Sequence, residues 1–329
     1  GNTTGEDFKG ENLITGTIKG VAENRTPTVY FLSGHGEKSL DSYTKFTTNL
    51  TNYNYAAKEL NLSETDSVPD DAALVLVAAP SKDITDAEAE KLNAYLDNGG
   101  NISLLMSPNG GAFAYTNLEA IMKDYGFYMD YDRVSETNSN YHISGDKYTI
   151  QCELNELDDD SEATDLTSSL LNQELYTFMP ESRSFRYNDE GGKYTIAPLI
   201  TTYDSAEGEP YGGISDDPEK QSGQMLLAAD STSIARNDSK MVVFGNAEFI
   251  DDEHVSDDTV IVPVYLFLST ISWMYDSDID MEISTKSTTN DYISLQDAGF
   301  AKGLMVVLTV IPVAIMAAGI GIWIKRRNS

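Results

Sequence analysis

Two side chains able to do acid–base or ligand chemistry, His35 and Glu37, stand on either side of Gly36. They follow residues 28–33, TVYFLS, whose β-branched and aromatic character predicts a strand. At the carboxyl end of a parallel strand they would lie where ligands usually bind, and could hold a metal ion or a partner's loop. Alternatively, Gly34 and Gly36 make a tight turn, and Glu37 stabilises the start of a helix by roughly 0.3–1 kcal/mol. We favour this structural interpretation.

A second predicted strand end carries Asn246 and Glu248, within the segment VVFGNAEFI. A doubly wound sheet collects the carboxyl ends of its parallel strands at one edge. We therefore treat Asn246 and Glu248, together with His35 and Glu37, as candidate interaction residues.

An acidic run, Asp251-Asp252-Glu253-His254, comes shortly afterwards. Carboxylates and an imidazole can bind Ca²⁺ or Zn²⁺, but the run lacks EF-hand spacing and the paired His or Cys of a zinc site. A solvated acidic loop is the preferred interpretation, and the sequence predicts no metal site.

Nucleophilic catalysis has little support in the sequence. The single cysteine, Cys152, lies within a strand-like segment rather than on a sharp turn. No G-x-S-x-G elbow follows a predicted strand, and the only histidines available as bases are His35, His142 and His254. Neither G-x-x-x-x-G-K-[ST] nor G-x-G-x-x-G occurs. We therefore predict no catalytic or cofactor-binding residue and no cofactor.

Alternating strands and helices should position these side chains. Residues 73–79, ALVLVAA, form an apolar run typical of a strand buried on both faces of a parallel sheet. Thr85 and Glu88 predict a capping box for a helix that ends at about Asp97. This order predicts an α/β domain with a right-handed, mostly parallel sheet. The other predicted elements are strands at 101–106, 224–229 and 241–244, and helices at 38–60, 116–125 and 260–275.

The middle of the chain, about 135–223, interrupts this alternation. It is rich in Asp, Ser, Thr and Tyr, with strand-like pieces at 148–154 and 194–201. We predict an irregular insert with long loops, in which residues 158–160 and 215–217 are solvated.

Composition restricts the partners. The formal net charge is −31, from 53 acidic and 22 basic residues. So acidic a surface repels phosphate backbones, and we predict no nucleic-acid binding. One cysteine cannot form a disulfide within the chain, so the chain is not a disulfide-stapled secreted scaffold. This fits a bacterial cell-surface domain better than a eukaryotic ectodomain.

A charge-free segment, 303–324, is long enough to cross a bilayer and is followed by Lys325-Arg326-Arg327. The pattern predicts a bacterial cell-membrane protein with a single span. Gly319 and Gly321 would allow close packing against other membrane helices. Because the chain begins at Gly1 without an apolar leader, we expect it to be the C-terminal part of a longer exported protein. The predicted divisions are an extracytoplasmic domain at 1–283, a juxtamembrane linker at 284–302, the transmembrane helix at 303–324 and a cytoplasmic tail at 325–329.

The order of several segments resembles one known family. TPTVYFLSGHGE is followed by ALVLVAAP, DNGGNISLLMSP and VVFGNAEFI, and the chain ends with an apolar helix containing Pro312. This order resembles the auxiliary component of gliding-motility-type ABC transport systems, the GldG-like family. The resemblance implies an outer Rossmann-like domain similar to class I glutamine amidotransferases and to intraflagellar-transport proteins. It also implies an ABC permease and its ATPase as partners.

Two functions remain open at this stage. The preferred one is a non-enzymatic, membrane-anchored auxiliary subunit whose outer domain contacts proteins or a transported substrate. The alternative is a membrane-anchored surface hydrolase or carbohydrate-binding protein on an amidotransferase-like fold.

Overall fold

The structure, a computed structural model, describes residues 26–275 apart from 158–160, 162, 173–174, 189–191 and 214–219. The described residues belong to one compact unit, residues 9–283. Within this described part, no helix has the length and apolar character needed to cross a bilayer. The following predicted features lie outside the described residues: the loops at 158–160 and 215–217, the linker at 284–302, the helix at 303–324 with Gly319 and Gly321, and the tail at 325–329.

Strands and helices alternate in the first half, as the sequence predicts. The predicted capping box is present: the Glu88 carboxylate accepts from the Thr85 backbone N–H at 2.8 Å, and Thr85 Oγ1 accepts from the Glu88 N–H at 3.4 Å. The elements are β1 (Thr28–Leu32), α1 (Thr44–Asn52), β2 (Ala56–Leu60), β3 (Ala72–Ala78), α2 (Asp86–Asp97), β4 (Ile102–Leu105), α3 (Thr116–Lys123) and β5 (Phe127–Met129).

The predicted helix at 38–60 is wrong at both ends. A short 3₁₀ turn at Leu40–Tyr43 precedes α1, and Ala56–Leu60 is a strand that pairs in parallel with β1. Asn54 ends the helix because its φ of 66° is left-handed, a conformation that asparagine tolerates better than most residues. Apolar residues continue at helical spacing past Asn54 to Ala57, so periodicity alone predicted a helix where the chain forms β2.

Strands predominate in the second half, which closes with a long apolar helix. The predicted strands at 148–154 and 194–201 are confirmed, and Cys152 is buried within the first of them. The elements are β6 (Asp132–Glu136), β7 (His142–Ile143), β8 (Asp146–Leu154), α4 (Ser168–Leu171), β9 (Thr177–Met179), β10 (Phe185–Tyr187), β11 (Tyr194–Thr202), β12 (Ala206–Pro210), β13 (Gln221–Ser222), β14 (Leu226–Ser233), β15 (Ser239–Phe244) and α5 (Ile261–Met274).

One large sheet organises the described chain, in the order β2-β1-β3-β4-β15-β14-β11-β8-β7. The strands from β2 to β15 run parallel, with Val75 opposite Ile102 and Val243 opposite Leu104. From β14 onward the pairing is antiparallel. The central α/β sheet is therefore confirmed. Its parallel part consists of β1 to β4, from the first half of the chain, and β15, from near the end of the described residues.

The middle region is more integrated than an irregular insert. Its strands β8 and β11 extend the main sheet, and β6, β12 and β13 form a separate three-stranded antiparallel sheet. These pairings join residues far apart in the sequence, for example Ala206 with Glu136. Such long-range contacts leave no local periodic signal, which explains why the prediction missed them.

Both faces of the parallel half are covered. On one face Phe46 of α1 and Phe267 of α5 stack with ring centroids 5.7 Å apart. On the other face lie Leu92 of α2 and Leu118 of α3, each fully buried. Double coverage explains why β3 reads as a continuous apolar run rather than an alternating one.

Candidate functional site

The carboxyl ends of β1, β3, β4 and β15 meet at one edge of the sheet, and the candidate residues lie in the loops that follow. These four strands are parallel neighbours, so the loops are brought side by side. In open α/β sheets this edge is the usual ligand-binding edge. The loops are residues 33–37, 79–82, 106–111 and 245–248.

His35 lies between two carboxylates. Its Nδ1 is 3.2 Å from Glu37 Oε1 and its Nε2 is 3.1 Å from Glu88 Oε2, and only 3% of His35 is exposed. The hydrogen bond to Glu37 raises the pKa of His35; burial opposes the shift, and the bond to Glu88 adds to it. Glu88 therefore serves twice, as the capping residue of α2 and as a partner of the imidazole.

The loops after β1 and β3 close over the crevice where a ligand would enter. Ser81 N–H and Lys82 N–H donate to the His35 carbonyl at 2.8 and 3.1 Å. A Cβ added at Gly36 would come within 1.8 Å of Ser81 Oγ, so only glycine fits there. The predicted interaction residue His35 is thus packed inside the protein, and the favoured structural interpretation of the turn agrees with these contacts.

Asn246 joins neighbouring loops rather than presenting a free side chain. It is fully buried; its Nδ2 donates to the Glu181 carbonyl at 3.0 Å, and its Oδ1 accepts from the Glu248 N–H at 2.5 Å. The next residue, Ala247, donates its N–H to Ser107 Oγ at 3.0 Å. The structure brings His35, Glu37, Asn246 and Glu248 to one edge, where His35 and Asn246 are buried and Glu248 is partly exposed.

The acidic run after β15 is only partly a solvated loop. Asp251 is 2% exposed and accepts from Lys38 Nζ at 2.6 Å, while the Nδ1 of His254 lies 2.7 Å from its other oxygen. Burial alone would raise the pKa of Asp251, but the bonds from Lys38 and His254 lower it. The expected solvated position is wrong for Asp251, because it anchors the loop. Within the described residues, no group of three or more His, Cys, Asp or Glu side chains could hold a metal ion.

Ala79, directly after β3, has a strained backbone. Its φ is 49°, in the left-handed region that costs a non-glycine residue roughly 1–2 kcal/mol. Its N–H donates to the Leu105 carbonyl at 2.8 Å, which holds the turn in place. Strained turns at strand ends present nucleophiles in some hydrolases, but here the side chain is a methyl group.

Arg183 also reaches this edge, and the sequence analysis did not single it out. Its backbone N–H donates to the Gly245 carbonyl at 3.0 Å, and its side-chain Nη2 donates to the Ser107 carbonyl at 2.9 Å. The guanidinium carbon is 5.7 and 5.6 Å from the ring centroids of Tyr115 and Tyr131. A single arginine between serines carries no local signal of burial, since arginine is normally exposed.

Residues 26–149 match the model of a family described as an ABC-type uncharacterized transport system. The predicted resemblance to an auxiliary component of ABC transport is therefore confirmed over this segment. The matched segment contains β1 to β4 and the helices between them, which form most of the parallel half. It ends within β8 and so also includes β5, β6 and β7, which pair with antiparallel neighbours.

Two solved structures are similar to this chain. The structure described as "mmIFT52 N-terminal domain" superposes with a TM-score of 0.54 at 16% identity, covering 77% of this chain and 99% of that one. This likeness shows a common fold. A Thermoplasma acidophilum protein of the GMP synthase type gives a TM-score of 0.38 at 7% identity, over 77% of this chain and 96% of that chain. No curated protein matches the chain.

Proposed function

We propose that this protein is a non-enzymatic auxiliary subunit of an ABC transport system, of the GldG-like type. The match of residues 26–149 to the transport family carries the proposal. The matched segment supplies three of the four strand ends at the candidate edge, those of β1, β3 and β4. A domain with this architecture would act by contacting a permease, another outer protein or a transported substrate.

The chemistry of the candidate edge supports a non-enzymatic role. His35 is packed against two carboxylates and covered by the loop after β3, and the strained turn carries Ala79 in place of a nucleophile. Burial raises the pKa of Cys152, which keeps its thiol protonated and unreactive. The purified chain should therefore hydrolyse no ester, amide or nucleotide. Turnover that disappears in Cys152→Ala or His254→Ala would contradict this expectation.

The proposed topology follows from residues 303–327. A charge-free segment followed by three basic residues favours a bacterial cell-membrane anchor with the acidic domain outside and Ser329 in the cytoplasm. Protease added to intact cells should then digest the domain and leave a C-terminal tag protected. Loss of the tag with the domain intact would reverse the orientation.

The partnership is tested by co-purification. The full chain, solubilised in mild detergent with a C-terminal tag, should recover an ABC permease and its ATPase. Replacing Gly319 and Gly321 by Leu should weaken the complex, because small residues permit close helix packing. The matched control replaces Val306 and Val307 by Leu, which adds bulk to the same segment without removing glycine. Recovery of neither partner by the unmodified chain would remove the main support for the proposal.

A groove in the antiparallel half favours the second candidate function, carbohydrate binding. It encloses about 440 Å³, and no acidic residue lines it in the described part of this acidic chain. Its wall includes Tyr187, which is 47% exposed, and the amides of Asn155, Gln221 and Gln224. Aromatic rings with amide donors suit neutral sugars. Binding of soluble oligosaccharides that is lost in Tyr187→Ala and kept in Tyr176→Ala, another exposed tyrosine, would favour this function; no binding would remove it.

A further inference from the structure

A groove runs along α2, between this helix and the loop that joins β2 to β3. Its volume is about 770 Å³. The helix lines it at positions 87, 90, 91, 94, 95 and 98, a spacing that places these residues on one face. The opposite wall is the loop segment 66–70. The groove shares no residue with the loops of the candidate edge.

Both walls of the groove are held in place by the fold. Lys91 reaches from α2 to the loop, where its Nζ donates to the Leu62 and Thr65 carbonyls at 2.7 Å each. Val68 anchors the same loop, because it is only 6% exposed and belongs to the same buried cluster as Leu92 of α2. A groove whose walls already have their partners needs little rearrangement to accept a ligand.

The apolar side chains that line the groove are mostly small. Ala87 and Ala94 lie two turns apart on α2 and both are exposed. At the end of the helix lies the half-buried ring of Tyr95, packed so closely on Gly100 that a Cβ there would come within 2.4 Å of it. Methyl groups leave room for the side chains of a ligand, and their burial under it is favourable.

Three carboxylates in the lining are free. Asp66, Asp70 and Glu90 are exposed, and among the described residues no hydrogen bond or ion pair engages their carboxylates. The neighbouring Asp71 differs, since its carboxylate pairs with Lys58 at 2.9 Å. The groove therefore offers unmatched negative charge beside small apolar surface.

We propose that the groove binds a short basic segment of a partner protein, in which lysine or arginine alternates with small apolar residues. The basic heads would meet the three free carboxylates, and the apolar groups would cover Ala87, Ala94 and the Tyr95 ring. Lys91 is the one basic residue in the lining, and it is held against the loop carbonyls. Binding of such a segment is independent of the transport role proposed above.

The test uses the full chain in mild detergent and a fluorescein-labelled probe peptide, Lys-Ala-Lys-Ala-Lys-Ala-Lys. Fluorescence anisotropy measures its Kd at several concentrations of sodium chloride. Because exposed ion pairs contribute little each, we expect micromolar binding that weakens as salt is added. The same peptide with glutamine in place of lysine should not bind. Absence of binding by the lysine peptide at low salt, or equal binding of the two peptides, overturns the proposal.

A triple variant removes the free carboxylates of the groove. Asp66→Asn, Asp70→Asn and Glu90→Gln together should weaken binding of the lysine peptide by about tenfold, since three exposed ion pairs are lost. All three positions are exposed, so the variant should keep its circular dichroism spectrum and its thermal midpoint.

A second triple variant controls for the acidity of the whole chain. Asp41→Asn, Asp204→Asn and Glu156→Gln remove the same charge from exposed positions outside the groove. The Kd should then change by less than about twofold, because distant exposed charges are screened by salt. Equal weakening by the two triple variants would mean that the peptide responds to net charge alone, and would overturn the proposal.

A last pair of variants tests the shape of the groove without changing charge. Ala94→Leu fills part of the groove and should weaken binding severalfold. Ala120→Leu adds the same bulk at an exposed position of α3, outside the groove, and should leave the Kd unchanged. Unchanged affinity in Ala94→Leu, with spermidine displacing the peptide, would assign the groove to a polyamine and overturn the choice of a protein partner.

Discussion

Two buried basic side chains at the same edge of the sheet have opposite surroundings. His35 lies between Glu37 and Glu88, each within 3.2 Å of a ring nitrogen. Arg183 lies beside two tyrosine rings with Nε and Nη1 unpartnered. Complete pairing offsets the cost of burying an ionisable group, whereas incomplete pairing leaves part of that cost in the folded state. This contrast indicates that the two side chains should respond differently to substitution.

The largest expected effect comes from breaking the satisfied cluster. Glu88→Ala removes a partner of His35 and the cap of α2, and should cost about 3 kcal/mol of unfolding free energy, since a buried partner is left unpaired. Chemical denaturation measures this cost. The control Glu90→Ala removes an exposed carboxylate from the same helix and should change stability by less than about 0.5 kcal/mol. Equal effects of the two substitutions would show that the bonds of Glu88 to His35 and Thr85 add no more to the unfolding free energy than an exposed carboxylate does.

The pH dependence of stability gives the next effect. His35 has a raised pKa in the folded state, so its contribution is fully present below its usual value of 6.5 and declines as pH rises through the folded value. The pKa of Glu88 is lowered despite burial, by its bonds to Thr85 and His35, so its contribution is present above its usual 4.5 and is lost as pH falls through the folded value. Stability from this cluster should thus be greatest between about pH 4.5 and 6.5.

His35→Gln provides the comparison for the pH profile. The glutamine keeps polar contacts but does not titrate, so the loss of stability above pH 6.5 should become shallower. His142→Gln changes a half-buried histidine away from this edge and should leave the slope as it is. An unaltered slope in His35→Gln would assign the pH dependence to other groups.

Arg183→Met should have a smaller effect on stability than Glu88→Ala. The substitution removes an uncompensated charge and one bond to the Ser107 carbonyl, and the two changes oppose each other. We expect a net change within about 1 kcal/mol in chloride buffer. A loss of several kcal/mol under those conditions would mean that the protein itself satisfies the guanidinium, and the contrast with His35 would fail.

The smallest effect concerns the strained turn between the two sites. Ala79→Gly relieves the backbone strain of a φ of 49° and should stabilise the chain. The gain should not exceed about 1 kcal/mol, because the greater conformational entropy of glycine in the unfolded chain offsets part of it. Ala78→Gly, one residue earlier within β3, has no such strain to relieve and should be destabilising. Destabilisation by both substitutions would show that the methyl group of Ala79 contributes more than its backbone strain costs.

Local sequence patterns predicted the parallel half well. The apolar run at 73–79, the capping box at Thr85 and the helix that ends at Asp97 all depend on residues close in sequence. The same patterns failed at Asn54, whose left-handed backbone ends the helix. The strand β2, which begins shortly afterwards, was predicted as helix. They also failed in the middle region, where strands such as β6 and β12 are paired only by long-range contacts.

The candidate site shows the same limits. Spacing after predicted strands placed His35, Glu37, Asn246 and Glu248 at one edge, and they lie there. The burial of His35 and Asn246 depends on which loops pack against them, such as Ser81 over His35, and no local pattern encodes that contact. Asp251 was expected in solvent for a similar reason, because its partner Lys38 is far away in the sequence and no local pattern indicates that contact.

The sequence by itself determined the α/β alternation, the acidic charge, the single cysteine and the order of segments that indicated an ABC transport auxiliary component. These features follow from composition and short-range periodicity. Only the tertiary structure decided that His35 is satisfied and Arg183 is not. Burial of an ionisable side chain depends on the atoms that surround it. Arg183, in the loop between β9 and β10, meets the loops that follow β4 and β15 only in the folded chain.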